Sequence, residues 1–257
     1  MPFVAFDLQS TLCTFEHVVK QLHVLLTTKT HLKLETCISR KFFYYWYDCS
    51  LRDYIATSQA GKYCPLQKVL KAVLPRAMIC FFDDETLLLT KDDIESILKT
   101  FEQPYLDSEA LQALDRLLEE REKGLEHRWE IWILSIGGFG DTMHFLSKAG
   151  ISKYADDNIL CCDDMRVSKP HPKVYSEMMR LAVHKTKRIE NFYMIGSYAF
   201  ELASAKNVSL RTVFLNSKEK IYTSQMYDTG EPDIVGHSLV DCVEKMIEFE
   251  KKRKHLY

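Results

Sequence analysis

The sequence predicts an α/β fold in which a parallel sheet carries helices on both faces and a helical segment is inserted after the first strand. Residues 2–6 are apolar or conformationally stiff and end at Asp7, which is typical of a strand buried on both faces. A long stretch with helical periodicity follows, and from residue 124 short apolar segments alternate with helical ones. Because right-handed crossovers join such alternating elements, we expect the strands to lie parallel.

The segment after the first strand predicts a separate helical domain. Its apolar side chains recur at spacings of three and four residues, as on one face of an amphipathic helix. The periodic residues are Phe15, Val18, Val19, Leu22, Leu25 and Leu26. Further helices are predicted over residues 34–56, 65–74 and 91–101, and the first of these carries consecutive aromatic residues at 42–47. We therefore predict a helical domain of residues 13–102 and a core domain of residues 1–12 and 103–257.

The rest of the sequence supplies the other elements of the core domain. Ser108 predicts a helix N-cap, and regularly spaced leucines mark the buried face of the helix that follows. Strands are predicted over residues 129–134, 158–162, 191–195, 210–215 and 232–235. Helices are predicted over residues 142–149, 172–184, 200–206 and 239–250.

Composition limits the partners that the protein can have. The 257 residues carry 34 basic and 36 acidic side chains, and the resulting net charge of -2 does not favour nucleic-acid binding. No segment has the pattern of a signal peptide or of a membrane span, and the eight cysteines include no CxxC pair. We therefore expect a cytoplasmic protein with no nucleic-acid or membrane partner. The oligomeric state stays open.

Polar residues follow the predicted strands or lie in loops between them. These residues are Asp7, Ser135, Lys169 and the pair Ser197 and Glu201. The carboxyl ends of parallel strands meet at one edge of a sheet, where ligands bind. Taken singly, Asp7 is as compatible with a turn residue as with a ligand-binding one, and Lys169 is better explained as an exposed loop lysine. Their common edge favours a site.

In their order along the chain, these segments resemble the motifs of the haloacid dehalogenase (HAD) superfamily. Residues 7–12 resemble its nucleophile motif, Ser135 matches the second motif, and residues 167–175 resemble its Lys-Pro-x-Pro-x-x-Tyr loop. Residues 193–201 resemble the last motif, and residues 232–239 fit the closing strand. The resemblance covers nearly the full length. It implies a Rossmann-like HAD core with a helical cap inserted after the first strand, which here is the helical domain.

The resemblance also implies roles for individual residues. Asp7 would attack an electrophilic carbon or phosphorus to form an ester or acyl phosphate that water hydrolyses, and Lys169 would keep Asp7 ionised. Hydroxyl and backbone N–H groups near Asp7 would bind the anionic group of the substrate. The residues implied in substrate binding are Leu8, Gln9, Thr11, Ser135, Tyr175, Ser197 and Glu201.

Two positions depart from the phosphatases of the superfamily and favour its 2-haloacid dehalogenase branch. Gln9 stands where those phosphatases carry an acid that protonates the leaving group, and an amide has no such proton to give. Ser197 stands where they carry a carboxylate for Mg²⁺, so that Asp7, the Gln9 carbonyl and Glu201 would be the remaining ligands. Halide leaves as a stable anion without a proton, and that branch works without a metal. We therefore expect no obligatory cofactor.

Other positions depart from the dehalogenase branch as well. Ile38 stands in place of the arginine that helps to take the halide, and Ile136 and Tyr198 each stand in place of an asparagine. Another cation near Asp7, such as Arg40 or Arg52, would replace that partner.

Three functions remain open from the sequence. The preferred one is a metal-independent HAD-like hydrolase that uses Asp7 as covalent nucleophile on a small 2-substituted carboxylic acid. The second is a Mg²⁺-dependent phosphatase for a small phosphate ester, slowed by Gln9. The third is a binding or interaction protein of the same fold that has lost catalysis.

Overall fold

The structure is a computed structural model that describes residues 2–30, 34–122, 129–155 and 157–254. The chain divides into two compact units, a core unit of Met1–Thr14 and Leu106–Tyr257 and a helical unit of Phe15–Tyr105. The sequence predicted the core unit to break off after residue 12 and to resume at residue 103. The core unit is thus built from two separate stretches of the chain.

The helical unit has an aromatic core. The helices that the structure describes in it are α1 (Glu16–Thr30), α2 (Thr36–Gln59), α3 (Leu66–Phe82) and α4 (Lys91–Thr100). The ring of Phe15 lies 5.3 Å from that of Phe43 and 4.9 Å from that of Tyr47, between centroids. The indole N–H of Trp46 donates to the carbonyl of Leu70 at 3.1 Å, which ties α2 to α3. Residues of the aromatic run at 42–47 therefore hold this unit together.

A parallel sheet forms the centre of the core unit, as predicted. Its strands are β1 (Phe3–Asp7), β2 (Glu130–Ser135), β3 (Ile159–Cys161), β4 (Phe192–Gly196), β5 (Arg211–Leu215) and β6 (Ile234–Gly236). In the described residues they form one six-stranded sheet in the order β3-β2-β1-β4-β5-β6. The first strand β1 pairs with β2 on one side and with β4 on the other, so the strand order reverses there. Open parallel sheets bind ligands beyond the carboxyl ends of their strands at such a reversal.

Helices cover both faces of the sheet, as predicted. Those that the structure describes are α5 (Ala110–Glu122), α6 (Phe139–Lys148), α7 (Ser152–Ala155), α8 (Cys162–Met165), α9 (Pro172–Thr186), α10 (Ala199–Asn207) and α11 (Leu239–Lys254). Val4 and Phe6 of β1 pack in a buried cluster with α5, α6, α7 and α11. Phe3 and Ala5 pack on the opposite face with α8, α9 and α10. The alternation of side chains along β1 thus buries both of its faces.

The structure differs from the predicted elements in three places. Just before α5 the side chain of Asp107 accepts the N–H of Glu109 at 2.9 Å, whereas the sequence predicted Ser108 as the capping residue. Helix α3 continues through Pro75 to Phe82, whereas the prediction ended it at residue 74. The short helices α7 and α8 were not predicted, since a single turn has no periodicity to detect. In the described ranges no helix has the length and apolar character needed to cross a membrane.

Candidate active site

The carboxylate of Asp7 lies at the carboxyl end of the central strand β1. Asp7 is in register with Leu134 of β2, and its side chain is buried. The N–H of Leu8 donates to the carbonyl of Leu134 at 3.0 Å, which extends the strand pairing by one residue. That N–H is therefore bonded within the sheet. The sequence predicted that it would bind the substrate, and this prediction is wrong. Ser10 then adopts a φ of 68°, a left-handed conformation that turns the chain.

Asp7 and Glu201 share one lysine. The ammonium of Lys169 donates to Oδ1 of Asp7 and lies 3.3 Å from Oε1 of Glu201, and all three side chains are buried. Asp7 comes from the end of β1, Lys169 from the loop before α9, and Glu201 from the first turn of α10. Three segments that are far apart in sequence thus meet at the edge of the sheet where the strand order reverses. We call Asp7, Lys169 and Glu201 the buried triad.

Burial and charge together set the protonation of the buried triad. Burial raises the pKa of Asp7, and the Lys169 ammonium opposes that rise. Burial alone would lower the pKa of Lys169, but the facing charges of Asp7 and Glu201 raise it instead. For Glu201, burial and the charge of Asp7 raise the pKa to about 8. We infer that near neutral pH Asp7 and Lys169 form a charged pair and Glu201 carries a proton.

Two hydroxyls hold the second oxygen of Asp7 in place. Oγ1 of Thr11 donates to Oδ2 of Asp7 at 3.1 Å and lies 3.2 Å from Oγ of Ser197. The hydroxyl of Ser197 also donates to the carbonyl of Ser10 at 2.8 Å. The hydroxyls of Thr11 and Ser197 have one proton each, so only two of these three contacts are hydrogen bonds at any moment. Thr11 and Ser197, predicted to bind substrate, are thus placed to orient the carboxylate.

Ser135, at the end of β2, is surrounded by donors. Three donors lie within reach of its Oγ, which can accept from two of them at a time: Thr142 Oγ1 at 2.8 Å, the Gly137 N–H at 3.1 Å and Gln9 Nε2 at 3.4 Å. Its own proton is therefore the group that Ser135 can offer to an anion. The carbonyl oxygen of the Gln9 side chain accepts the N–H of Ile136 at 3.2 Å, so both ends of this amide bond to the segment after β2. Sequence reasoning missed Thr142, because nothing in the pattern distinguishes it from any other polar helix residue.

Tyr175 contributes a buried hydroxyl beside the buried triad. Its side chain is fully buried on α9, and among the described residues its Oη has no hydrogen-bond partner. Burial raises the pKa of Tyr175, and the neighbouring acidic groups Glu201, Cys162 and Asp7 add to the rise, so the hydroxyl stays neutral. In the same part of the structure Oε2 of Glu201 also lacks a partner. Buried polar atoms in folded proteins are normally hydrogen-bonded, so these two atoms indicate a place for a ligand.

The residues around Asp7 fit a divalent cation poorly. Lys169 and Thr11 each bond to one carboxylate oxygen of Asp7. Among the carboxylate oxygens of Asp7 and Glu201, Oε2 of Glu201 is therefore the one without a hydrogen-bond partner in the described residues. Mg²⁺ requires a near-octahedral set of oxygen ligands. No group of three or more His, Cys, Asp or Glu side chains suited to a metal occurs within the described ranges.

Comparison with known proteins agrees with this arrangement of strands and motif residues. A family model described as a haloacid dehalogenase-like hydrolase matches residues 1–208. The chain belongs to this family. A search of curated protein sequences found no match.

Solved structures share the fold of this haloacid dehalogenase-like hydrolase. The L-2-haloacid dehalogenase RSc1362 is 19% identical, with a TM-score of 0.76 over 98% of this chain and 99% of that one. The L-2-haloacid dehalogenase from Xanthobacter autotrophicus is 18% identical, with a TM-score of 0.71 over 95% of this chain and 97% of that one. The putative HAD-hydrolase YfnB from Bacillus subtilis, bound to magnesium, is 14% identical, with a TM-score of 0.65 over 97% and 98%. At these identities the likeness concerns the fold alone.

The two arginines considered as substitutes for the halide partner form ion pairs inside the helical unit of this hydrolase. Arg40 binds both carboxylate oxygens of Glu16, with Nη2 at 2.8 Å from Oε2. Nε of Arg52 donates to Asp53 at 3.0 Å.

Within the core unit, a lysine that the sequence analysis did not single out acts on Asp7. The charge of Lys218, in the segment after β5, adds to that of Lys169 in opposing the rise that burial causes in the pKa of Asp7. A lysine in a loop has no pattern that would have revealed this role.

Proposed function

We propose that this hydrolase acts on a small 2-substituted carboxylic acid, with a 2-haloacid as the model substrate, through an ester on Asp7 and without an obligatory metal. The observation that carries the proposal is the buried ion pair of Asp7 and Lys169 at the carboxyl end of β1. It gives the chain an anionic oxygen held by a fixed cation, as a nucleophile requires. Chloropropionic acid is covalently bound in one structure of the Xanthobacter autotrophicus L-2-haloacid dehalogenase, which supports the same chemistry here.

In the first step a carboxylate oxygen of Asp7 attacks the carbon that carries the halogen. The carbon–oxygen bond forms as the carbon–halogen bond breaks, and the halide leaves with the bonding electron pair. A halide needs no proton to leave, so the amide of Gln9 is no handicap. Lys169 holds the attacking carboxylate ionised, and the proton of Ser135 is available to the anionic group of the substrate.

In the second step Glu201 becomes the base. Ester formation removes the charge of Asp7, which after burial is the largest influence raising the pKa of Glu201. The pKa of Glu201 therefore falls, and the proton that Glu201 loses leaves together with the halide. Glu201 then takes a proton from water, and the water oxygen attacks the carboxyl carbon of Asp7. The ester bond breaks, the departing oxygen takes the remaining water proton, and the products are a 2-hydroxy acid and the original carboxylate.

The test compares two substrate classes. We expect purified protein to release chloride from 2-chloropropionate in the presence of EDTA, and Asp7→Asn to abolish this release. Asp141→Asn, which changes an exposed aspartate on α6, is the matched control and should keep full activity. An aryl phosphate is assayed in parallel with and without Mg²⁺.

Each other outcome supports a different function. Mg²⁺-dependent phosphate release without chloride release would replace the proposal with a phosphatase. Release of neither product by a stably folded protein would favour a binding or interaction protein of this fold.

A further inference from the structure

The hydroxyl of Ser135 lies at the end of a chain of three buried polar side chains. The thiol of Cys161 donates to Oγ1 of Thr142 over 3.6 Å, and Oγ1 of Thr142 lies 2.8 Å from Oγ of Ser135. Ser135 ends β2 and is in register with Cys161, which ends β3, while Thr142 lies on α6. The helix thus places a hydroxyl against the carboxyl ends of two neighbouring strands.

The contacts of this chain determine which atom donates at each step. Burial raises the pKa of Cys161 to about 12, so the thiol keeps its proton and is the donor to Thr142. Among the described residues, the oxygen that forms a hydrogen bond with the Thr142 hydroxyl is that of Ser135, so Thr142 gives its one proton to Ser135. The N–H of Gly137 reaches the same oxygen at 3.1 Å. Thr142 and Gly137 together therefore fill both lone pairs of the Ser135 oxygen.

The proton of Ser135 must then point away from these two donors. A hydroxyl oxygen with both lone pairs engaged has one tetrahedral direction left for its own proton. The side-chain amide of Gln9 turns its NH₂ group to Ser135 and its carbonyl oxygen to the N–H of Ile136, so it does not accept that proton. Asp7 is in register with Leu134, so Ser135 follows at the carboxyl edge of the strand beside the nucleophile. In the described part of the chain the Ser135 proton thus waits for an acceptor at this edge.

We propose that Thr142 is a positioning residue that holds the proton of Ser135 toward the carboxylate of the substrate. This inference rests on the proposed function, because it takes a carboxylate as the anion bound beside Asp7. Thr142 does not touch the substrate, and its effect passes through Ser135. Without the Thr142 hydroxyl, the Ser135 side chain can change rotamer and its O–H can turn, so binding must first restore their orientation, which lowers affinity.

Binding of propionate, which carries the carboxylate and no leaving group, tests this role without turnover. We expect titration calorimetry to show that Ser135→Ala weakens propionate binding about tenfold to hundredfold. Thr142→Val, which replaces the hydroxyl with a methyl group of similar size, should weaken it about threefold to tenfold. Thr142→Ser keeps the hydroxyl and should bind within about twofold of the wild type. Thr142→Ala replaces the valine variant if that variant does not fold.

A double variant separates positioning from a general structural effect. In Ser135→Ala the proton that Thr142 directs is absent, so adding Thr142→Val should cause no further loss of affinity. Thr212→Val is the matched control, because Thr212 is also buried and its hydroxyl donates to Asp233 at 3.2 Å. This variant loses a hydrogen bond of the same kind at the amino end of β5 and should bind propionate like the wild type.

Three results would overturn the role of Thr142. The first is equal propionate affinity in the wild type and Thr142→Val, and the second is no propionate binding by the wild type. The third is a further loss of affinity when Thr142→Val is added to Ser135→Ala. Chloride release plays no part in these measurements, so a protein that binds propionate through Ser135 and Thr142 but releases no chloride would contradict the proposed function alone.

Discussion

The ammonium of Lys169 lies 3.3 Å from Oε1 of Glu201 while it donates to Asp7, so one cation serves two buried carboxyl groups. The protonation of the two acids is therefore coupled, and a charge lost from one is regained by the other. This relationship assigns the two steps of the proposed reaction to different carboxyl groups. Asp7 is the ionised nucleophile of the resting protein, and Glu201 becomes ionised once Asp7 is esterified.

Replacing Lys169 with methionine should remove the charge that keeps Asp7 ionised. Burial then determines the pKa of Asp7 and raises it further, so we expect chloride release near neutral pH to fall by at least about 10²-fold. Urea unfolding should show a loss of about 3–5 kcal/mol, because a buried carboxyl group loses its partner. Lys173→Met, which changes an exposed lysine on α9, should affect neither quantity.

The double variant Asp7→Asn/Lys169→Met checks that this loss comes from the pair. A neutral amide needs no counter-charge, so the double variant should be more stable than Lys169→Met alone. Equal stability of the two variants would argue that Lys169 stabilises the fold through other contacts.

Replacing Glu201 with glutamine should trap the ester. The first step does not need Glu201, whereas hydrolysis loses its base and should slow by about 10²- to 10⁴-fold. We expect one rapid release of chloride per chain and a covalent adduct on the peptide that contains Asp7, observed by mass spectrometry. Glu95→Gln, an exposed change in the helical unit, should turn over normally. Steady turnover by Glu201→Gln without an adduct would assign the base to another group.

The raised pKa of Glu201 also predicts that stability falls as pH rises. The carboxyl group titrates at its ordinary value of 4.5 in the unfolded chain and at about 8 in the folded one, so the folded state binds the extra proton between these values. The contribution of Glu201 to the unfolding free energy is full below pH 4.5 and is lost progressively as pH rises to about 8.

Urea unfolding of wild type and Glu201→Gln at several pH values measures this contribution. The unfolding free energy of the wild type should decline relative to that of the variant across this window. A constant difference between the two proteins would mean that Glu201 is ionised in the resting state.

Removing the hydroxyl of Tyr175 should separate stability from activity. In Tyr175→Phe the lost hydroxyl has no partner among the described residues, so the unfolding free energy should stay the same or rise by about 1 kcal/mol. We expect kcat/KM for 2-chloropropionate to fall about tenfold, because the hydroxyl is left to bind the substrate. Tyr193→Phe is the contrasting variant: its hydroxyl donates to Glu250 at 2.6 Å, so the change should cost about 1–3 kcal/mol and leave activity intact. A Tyr175→Phe enzyme with unchanged kinetics would remove Tyr175 from the site.

The order of strands and helices could be predicted from the sequence because it depends on local patterns. An apolar segment that ends at Asp7, and helical periods between later apolar segments, are properties of neighbouring residues. These patterns, together with the resemblance to the superfamily motifs, predicted that Asp7, Lys169 and Glu201 belong to one site, and the structure brings them together at the carboxyl edge of the sheet. Pro75 shows the limit of local reasoning, since burial of the following helix turn outweighs the hydrogen bond that proline removes.

The sequence by itself thus determined the fold family and the residues that meet at the carboxyl ends of the strands. Only the tertiary structure decided what each group does there: the N–H of Leu8 is bonded within the sheet, the amide of Gln9 bonds to the segment after β2, and Lys169 is shared by Asp7 and Glu201. The physical reason is that the two kinds of feature depend on residues at different separations along the chain. A strand or a helix is encoded over a few residues, whereas a hydrogen bond or a charge effect depends on ångström-scale distances between side chains from remote segments.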